Sequence, residues 1–275
     1  MDTKFVLVTG SSSGIGFCAA KTLHQRGYQV IATARKDEDI RMLKALGICA
    51  IRLELGESES VKAAAEEALT ISGGALFGLV NNAAFGMPGA VEDLTRDAIR
   101  EQFEVNLFGT MELTNLLIPS MRALGRGRII MISSILGFMS VKYQGAYNAS
   151  KHAMEGLTDT IRMELAESGI HVSLIEPGPI RSRFQQNALG HFNKHVDEAR
   201  SPHSANYQKM ARSIAEGREA PFTGDPEDVV VKIVHALESA RPKIRYLVTP
   251  LAHLLSAAKR ILPAFMLDRL LRRKG

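Results

Sequence analysis

The sequence predicts an α/β fold built on a doubly wound parallel sheet. Two observations point there. Short runs of aliphatic and β-branched residues alternate with longer segments whose apolar residues recur at helical spacing, in the order strand, helix, strand, helix. A glycine- and serine-rich turn also stands where the first run passes into the first helical segment.

The elements follow in order. A run over 5–9 precedes a helical pattern over 14–26, and a run over 29–33 precedes one over 38–46. Runs over 48–53 and 76–80 precede helical patterns over 58–71 and 96–124. A run over 128–132 leads to a helix over 146–167, a strand over 170–175 follows, and 244–248 is expected as the last strand. Parallel neighbours joined this way require right-handed crossovers. The stretch 177–223 breaks the rhythm: it is mostly polar and is expected to form short helices, a lid over about 182–223 above the sheet's C-terminal edge. Asp225, Pro226, Glu227 and Asp228 read as a helix start, with an N-cap, a proline in the first turn and acids facing the dipole. No internal repeat or low-complexity linker divides the chain, so residues 1–275 are read as one domain.

Composition narrows the class. The 275 residues are 45% hydrophobic and 23% charged, ordinary for a globular domain that buries its own core. The two cysteines, Cys18 and Cys49, form no Cys-x-x-Cys, and this usage fits a reducing cytoplasm. The opening Met1-Asp2-Thr3-Lys4 lacks the pattern of a signal peptide, and no apolar run reaches the roughly 18 residues of a membrane span. The net charge of +5 is concentrated at the end of the chain, in Lys259, Arg260, Arg269, Arg272, Arg273 and Lys274. Nucleic-acid binding is therefore excluded as the main reading. His191, His195 and His203 lack metal-ligand spacing; solvated or capping roles are expected, and no metal. The tail, about 251–275, repeats Leu254, Leu255, Ala258, Ile261, Leu262, Phe265, Met266, Leu270 and Leu271 at helical spacing, with a break at Pro263. It reads as an amphipathic segment docked on the domain, with peripheral membrane contact as the alternative.

The turn after the first strand holds Gly10, Ser12, Ser13, Gly14, Ile15 and Gly16. Glycines there let the backbone approach a pyrophosphate seated at a helix N-terminus. The second strand ends in Ala32-Thr33-Ala34-Arg35-Lys36, with no carboxylate to hold ribose hydroxyls. Arg35 suits a 2′-phosphate instead, so NADP(H) is the expected cofactor.

Tyr147 and Lys151 stand four residues apart, on one helical face, with Ser134 thirteen residues upstream. A free phenol ionises near pH ~10, and a neighbouring cation is expected to lower that value into the useful range. Tyr147 would then exchange a proton with a substrate oxygen.

The pattern Gly10-x-x-x-Gly14-x-Gly16, the Asn81-Asn82-Ala83 run, Asn106, Ser134 and Tyr147-x-x-x-Lys151 together resemble the short-chain dehydrogenase/reductase family, over about residues 5–182. Within it, Asn82 to Gly86, Arg162 to Leu165 and Ser173 to Ile180 are most similar to retinol and 17β-hydroxysteroid dehydrogenase-like members and to bacterial NADP-dependent aldehyde reductases. The resemblance implies a Rossmann-type sheet of about seven strands, with cofactor and catalytic residues in one domain. It implies that Asn82, Ala83 and Glu54 flank the adenosine and that Pro177, Gly178, Ile180 and Ser182 lie beside the nicotinamide. Ala84 replaces the family's usual glycine, Glu54 its usual aspartate and Ser182 its common threonine. Tyr147 is read as the proton-transferring group, Lys151 as the cation that tunes it, Ser134 (rather than Ser133) as donor to the substrate oxygen, and Asn106 as anchor of a proton relay.

Apolar residues around these motifs, namely Ile135, Leu136, Phe138, Met139, Val141, Tyr143, Phe85, Met87, Phe184 and Phe192, are expected to form the pocket, with Phe138 and Tyr143 on the substrate. The expected function is reduction of a lipophilic aldehyde or ketone. A retinol- or hydroxysteroid-type alcohol dehydrogenase and a non-catalytic NADPH-binding regulator are the alternatives. The family implies a homodimer or homotetramer formed through the helices of Asn106 and Tyr147.

Overall fold

The computed structural model describes residues 4–272. Seven parallel strands, β1 (Phe5–Val8), β2 (Gln29–Ala34), β3 (Cys49–Arg52), β4 (Leu76–Asn81), β5 (Gly127–Ile132), β6 (Ile170–Glu176) and β7 (Arg245–Leu247), lie in the order β3-β2-β1-β4-β5-β6-β7. The winding reverses between β1 and β4, which opens a crevice at their C-terminal ends. Along β1, Val6 and Val8 face one layer and Leu7 the other, as strand alternation requires. The first layer packs α1 (Gly14–Gln25) and α9 (Pro226–Glu238) through Leu23, Ile233 and Leu237. The second packs α3 (Ser58–Ile71), α5 (Thr110–Ala123) and α6 (Gly145–Glu164) through Val61, Leu117 and Met154. The short α2 (Asp37–Ala45) covers β2 and β3 with Leu43 inward. α9 starts where the sequence suggested, and there Asp225 and Asp228 form a capping box.

The helix expected over 96–124 is interrupted. α4 (Arg96–Phe103) passes into a π-helical turn, Glu104–Gly109, before α5 begins. A side chain on Gly109 would put its Cβ 1.9 Å from the carbonyl oxygen of Leu55, so the helix presses on the loop after β3. The widened turn swings Asn106 into the interior, where it is fully buried.

Two helices, α7 (Phe184–His195) and α8 (Ser204–Ala215), form the lid over the crevice. The tail forms α10 (Pro250–Ile261) and α11 (Ala264–Arg272). Thr249 starts it with φ of 76°, its hydroxyl accepting from the Ala252 N–H at 3.3 Å. Ala252 and Leu255 pack on Ile135 and Met139, with Leu267 and Leu271 against the same cluster. Leu254, Ile261, Phe265, Met266 and Leu270 face outward. Arg273 and Lys274 lie outside the described residues. No helix among the described residues is long and apolar enough to cross a membrane.

Candidate active site

The crevice holds a cavity of about 660 Å³. At its floor, the loops after β1 and β4 are stitched together. Thr9 Oγ1 accepts from the N–H groups of Asn82 and Ala83, each at 2.9 Å, and Asn82 Nδ2 donates to the carbonyls of Thr9 and Gly10 at 2.9 and 3.2 Å. A Cβ on Gly16 would fall 2.2 Å from the Gly10 oxygen and 2.5 Å from Asn82 Nδ2, so only glycine lets α1 start here. Gly10 holds φ 68°, and a Cβ there would fall 2.9 Å from Ala83 Cα. Ser13 precedes α1 without a side-chain cap, which leaves first-turn N–H groups facing the cavity. This concave, amide-rich cradle fits a dinucleotide pyrophosphate.

Ser12, Ile15, Thr33, Arg35 and Glu54 line the same side. Arg35 is two-thirds exposed (66%) and sits 3.7 Å from Glu54, whose other oxygen accepts from the Gly56 N–H at 3.3 Å. Pro177, Gly178, Ile180 and Ser182, on the loop after β6, also line the cavity, and Ser182 Cβ lies 3.2 Å from where a Cβ on Gly14 would stand.

Ser134, Tyr147 and Lys151 also line the cavity. Tyr147 hydrogen-bonds Ser134, whose oxygen also accepts from the Leu136 N–H at 3.1 Å. Ser133 turns the other way, donating to Glu155 at 2.7 Å. Burial is the largest influence on the Tyr147 phenol and pushes it up to about 12, with the Ser134 hydrogen bond opposing. Lys151 points its ammonium at the Ile132 carbonyl, 2.8 Å away, and lies 5.8 Å from the Tyr147 ring centre. Burial drives Lys151 down to about 8, against the pull of Glu155. Both groups are desolvated together, so each favours its neutral form.

Asn106 does not touch Lys151 directly. Its amide clamps the Phe85 peptide, accepting from the N–H at 3.1 Å and donating to the carbonyl at 2.9 Å, and donates to Ser150 Oγ at 3.2 Å. Gln102 also donates to the Phe85 carbonyl and accepts from the Met87 N–H. Nothing in the sequence pattern marked Gln102 for this.

Several expected pocket residues sit elsewhere. Phe138 packs beneath the tail helices, and Met139 is buried in that cluster. Tyr143 packs on Tyr207 and His203 and accepts from Asn206 at 2.9 Å. Met87 and Phe192 are buried under the lid. The apolar cavity wall is instead Phe85, Ile135, Leu136, Val141 and Phe184, with Phe184 edge-on to Tyr147 at 5.5 Å. Polar lining from Gln144, Gln185, Asn187 and Arg218 went unforeseen, because isolated amide and charged side chains carry no signal of which face meets a cavity.

The lid histidines are neither solvated nor capping. His191 and His195 meet Glu101 on α4 at 3.1 and 2.8 Å, and Lys194 joins at 2.6 Å. His203 meets Glu92 at 2.7 Å. No group of residues suited to a metal ion occurs among the described residues.

A pyrophosphate cradle opening onto a buried tyrosine with a serine partner belongs to Rossmann-type oxidoreductases that use a nicotinamide dinucleotide. Comparison with known proteins makes this specific. A family model described as short chain dehydrogenase matches residues 4–191. An uncharacterized oxidoreductase, YbbO, of Escherichia coli (strain K12) is 41% identical over 98% of this chain and 94% of its own length. Retinol dehydrogenase 8 of Homo sapiens is 33% identical over 87% of this chain and 79% of its own. The crystal structure of a short-chain dehydrogenase from Streptomyces avermitilis superimposes with a TM-score of 0.77 at 31% identity, covering 94% of this chain and 95% of that one. The chain belongs to the short-chain dehydrogenase/reductase family.

Proposed function

We propose that this enzyme is an NADP(H)-dependent reductase of lipophilic aldehydes or ketones, with Tyr147 as the proton donor. One observation carries the reading: a phenol that burial holds in its protonated form faces a cavity walled by Phe85, Ile135, Leu136, Val141 and Phe184. A neutral phenol can donate a proton to a carbonyl oxygen, the step that reduction requires. Arg35 at the adenosine end supports the 2′-phosphorylated cofactor. The bound nicotinamide would supply hydride to the carbonyl carbon. Tyr147 then delivers its proton to the carbonyl oxygen, Ser134 donates to that oxygen as charge develops, and the product is the alcohol. Phe184 and the lid exclude water from the reacting face.

The test is consumption of NADPH, against NADH, over a panel of aldehydes and ketones of rising chain length. Turnover with NADPH that grows with chain length is expected. Tyr147→Phe is expected to lower kcat by about 10² to 10⁴-fold while NADPH still binds; near-wild-type turnover in that variant refutes the mechanism.

Two associations complete the reading. The outward tail face combines Leu254, Ile261, Phe265, Met266 and Leu270 with Arg260 and Arg269, which suits peripheral contact with an anionic lipid surface. Flotation with anionic vesicles, lost in the Phe265→Glu/Met266→Glu variant, is the expected outcome; equal flotation of both refutes it. Exposed Phe108, Leu116 and Leu157 form an apolar face on the Asn106 and Tyr147 helices, which suits self-association. Sedimentation should give a dimer or tetramer, and a monomer refutes this.

A further inference from the structure

Tyr147, Lys151, Glu155 and Asp159 recur at four-residue intervals along α6 and so form one stripe. The proposed reaction uses only the first two. Glu155 is nonetheless buried and fully engaged. Its Oε1 accepts from Ser133 Oγ at 2.7 Å, and its Oε2 accepts from Arg245 Nη1. The same nitrogen bonds Glu176 Oε1, and Arg245 Nη2 reaches Asp159 at 2.6 Å. Ser133 adjoins Ser134 at the end of β5, and Glu176 adjoins Pro177 at the end of β6. One guanidinium from β7 therefore ties together the three elements that carry Ser134, Lys151 and the Pro177–Ser182 loop. A Cβ on Gly137 would lie 2.5 Å from both Glu155 Oε1 and Ser133 Oγ, so the turn after Ser134 is moulded around their hydrogen bond.

The geometry points to Glu155, clamped by Arg245, as a positioning residue that keeps Lys151 charged and oriented behind Tyr147. The inference rests on the reductase reading. The titratable groups around Lys151 are Tyr147, Glu155 and Asp159 on its own helix, Glu176 from β6 and Arg245 from β7. Glu155 is the carboxylate that opposes the burial of Lys151. Burial first, and then the neighbouring Glu155, push the Glu176 carboxyl up, while its hydrogen bond from Arg245 opposes them. Because Lys151 titrates near 8, loss of the Glu155 charge discharges it within the working range of pH.

Glu155→Gln removes the charge and keeps the shape. The expected result is that the alkaline limb of kcat/KM for NADPH-dependent reduction moves to lower pH by about 1 unit, with NADPH binding retained. Asp159→Asn weakens the outer bond of Arg245 and the Asp159 pairing with Arg162 at 3.5 Å; it is expected to lower Tm and leave the limb in place. Independently of turnover, acylation of Lys151 by an amine-reactive reagent, followed by peptide mass spectrometry, should shift its pH midpoint downward in Glu155→Gln. A folded Glu155→Gln with unmoved limb and unmoved acylation midpoint overturns the proposal, whatever its Tm. Should that variant not fold, Glu155→Asp carries the same test with a smaller downward shift, and an unmoved midpoint overturns it. Absence of wild-type turnover refutes the reductase reading alone, since the acylation arm still decides the dependence of Lys151 on Glu155.

Discussion

Replacing Arg35 by serine is expected to erase the cofactor preference without disturbing the reaction. Arg35 projects from the end of β2 into the cavity wall, and its 3.7 Å approach to Glu54 is longer than a hydrogen bond. That pairing leaves its donors able to take a 2′-phosphate. A hydrogen bond between charged groups contributes about 1.5–3 kcal/mol. The 66% exposure of the side chain calls for the lower part of that range, about 1.5–2 kcal/mol. At 1.4 kcal/mol per decade, Arg35→Ser should weaken NADPH by roughly 10- to 30-fold. NADH, lacking the phosphate, should be nearly unaffected. The assay is kcat/KM for each cofactor with one saturating aldehyde, repeated at rising ionic strength, which should shrink the difference. Glu54→Gln should act in the opposite sense, because it removes a like charge from the phosphate's neighbourhood. An unchanged NADPH-to-NADH ratio in Arg35→Ser would show that another group reads the phosphate and would refute the reasoning.

Three further outcomes follow from the geometry. Gly16→Ala forces a Cβ into the Gly10 carbonyl and Asn82 amide; it should lower Tm and abolish saturable NADPH binding, measured by nucleotide fluorescence titration. Asn106→Ala leaves the buried Phe85 N–H without its acceptor, at a cost of about 1–3 kcal/mol; denaturant unfolding should show that loss, and kcat should fall because Phe85 lines the cavity. Burial pushes the Glu101 carboxyl up, but hydrogen bonds from Lys194 and His195 carry it below its ordinary value of 4.5. Its stabilisation of the lid is therefore present above that value and lost as pH falls through the lowered one. Limited proteolysis within 184–215 should accelerate on acidification, and at neutral pH in Glu101→Gln.

The fold was legible because parallel strands and their crossover helices declare themselves locally. Runs such as Phe5–Val8 are uniformly apolar, and Gly10, Gly14 and Gly16 mark the handover to α1. The juxtaposition of Tyr147 and Lys151 was legible for the same reason, since they share a helix. What escaped depends on contacts distant in sequence. The pattern over 96–124 is continuous in hydrophobicity, and only the approach of Gly109 to Leu55 reveals why it widens into a π turn. Phe138 and Tyr143 are apolar neighbours of the catalytic elements, yet a tail helix covers one and a lid helix the other. Arg245 and Glu155 stand 90 residues apart, and no local pattern joins them. His191 and His195 likewise gain their meaning from Glu101, on a helix some ninety residues earlier.

Thr249 has a consequence for how this chain could be recombined. It holds a left-handed backbone conformation that an L-residue adopts at a cost of about 1–3 kcal/mol. Its hydroxyl oxygen lies where a Cβ on Gly178 would come within 2.3 Å, and its methyl lies 3.2 Å from the Cβ position of Gly224. The hinge of the tail is thus cast against the loop after β6 and the loop that leads into α9. A tail grafted from a relative at residue 250 would inherit a fitted joint, whereas a graft that also replaced Thr249 would have to bring matching residues at 178 and 224. The module that can be exchanged among such enzymes is therefore not the tail helices alone but the three-point seam on which they turn.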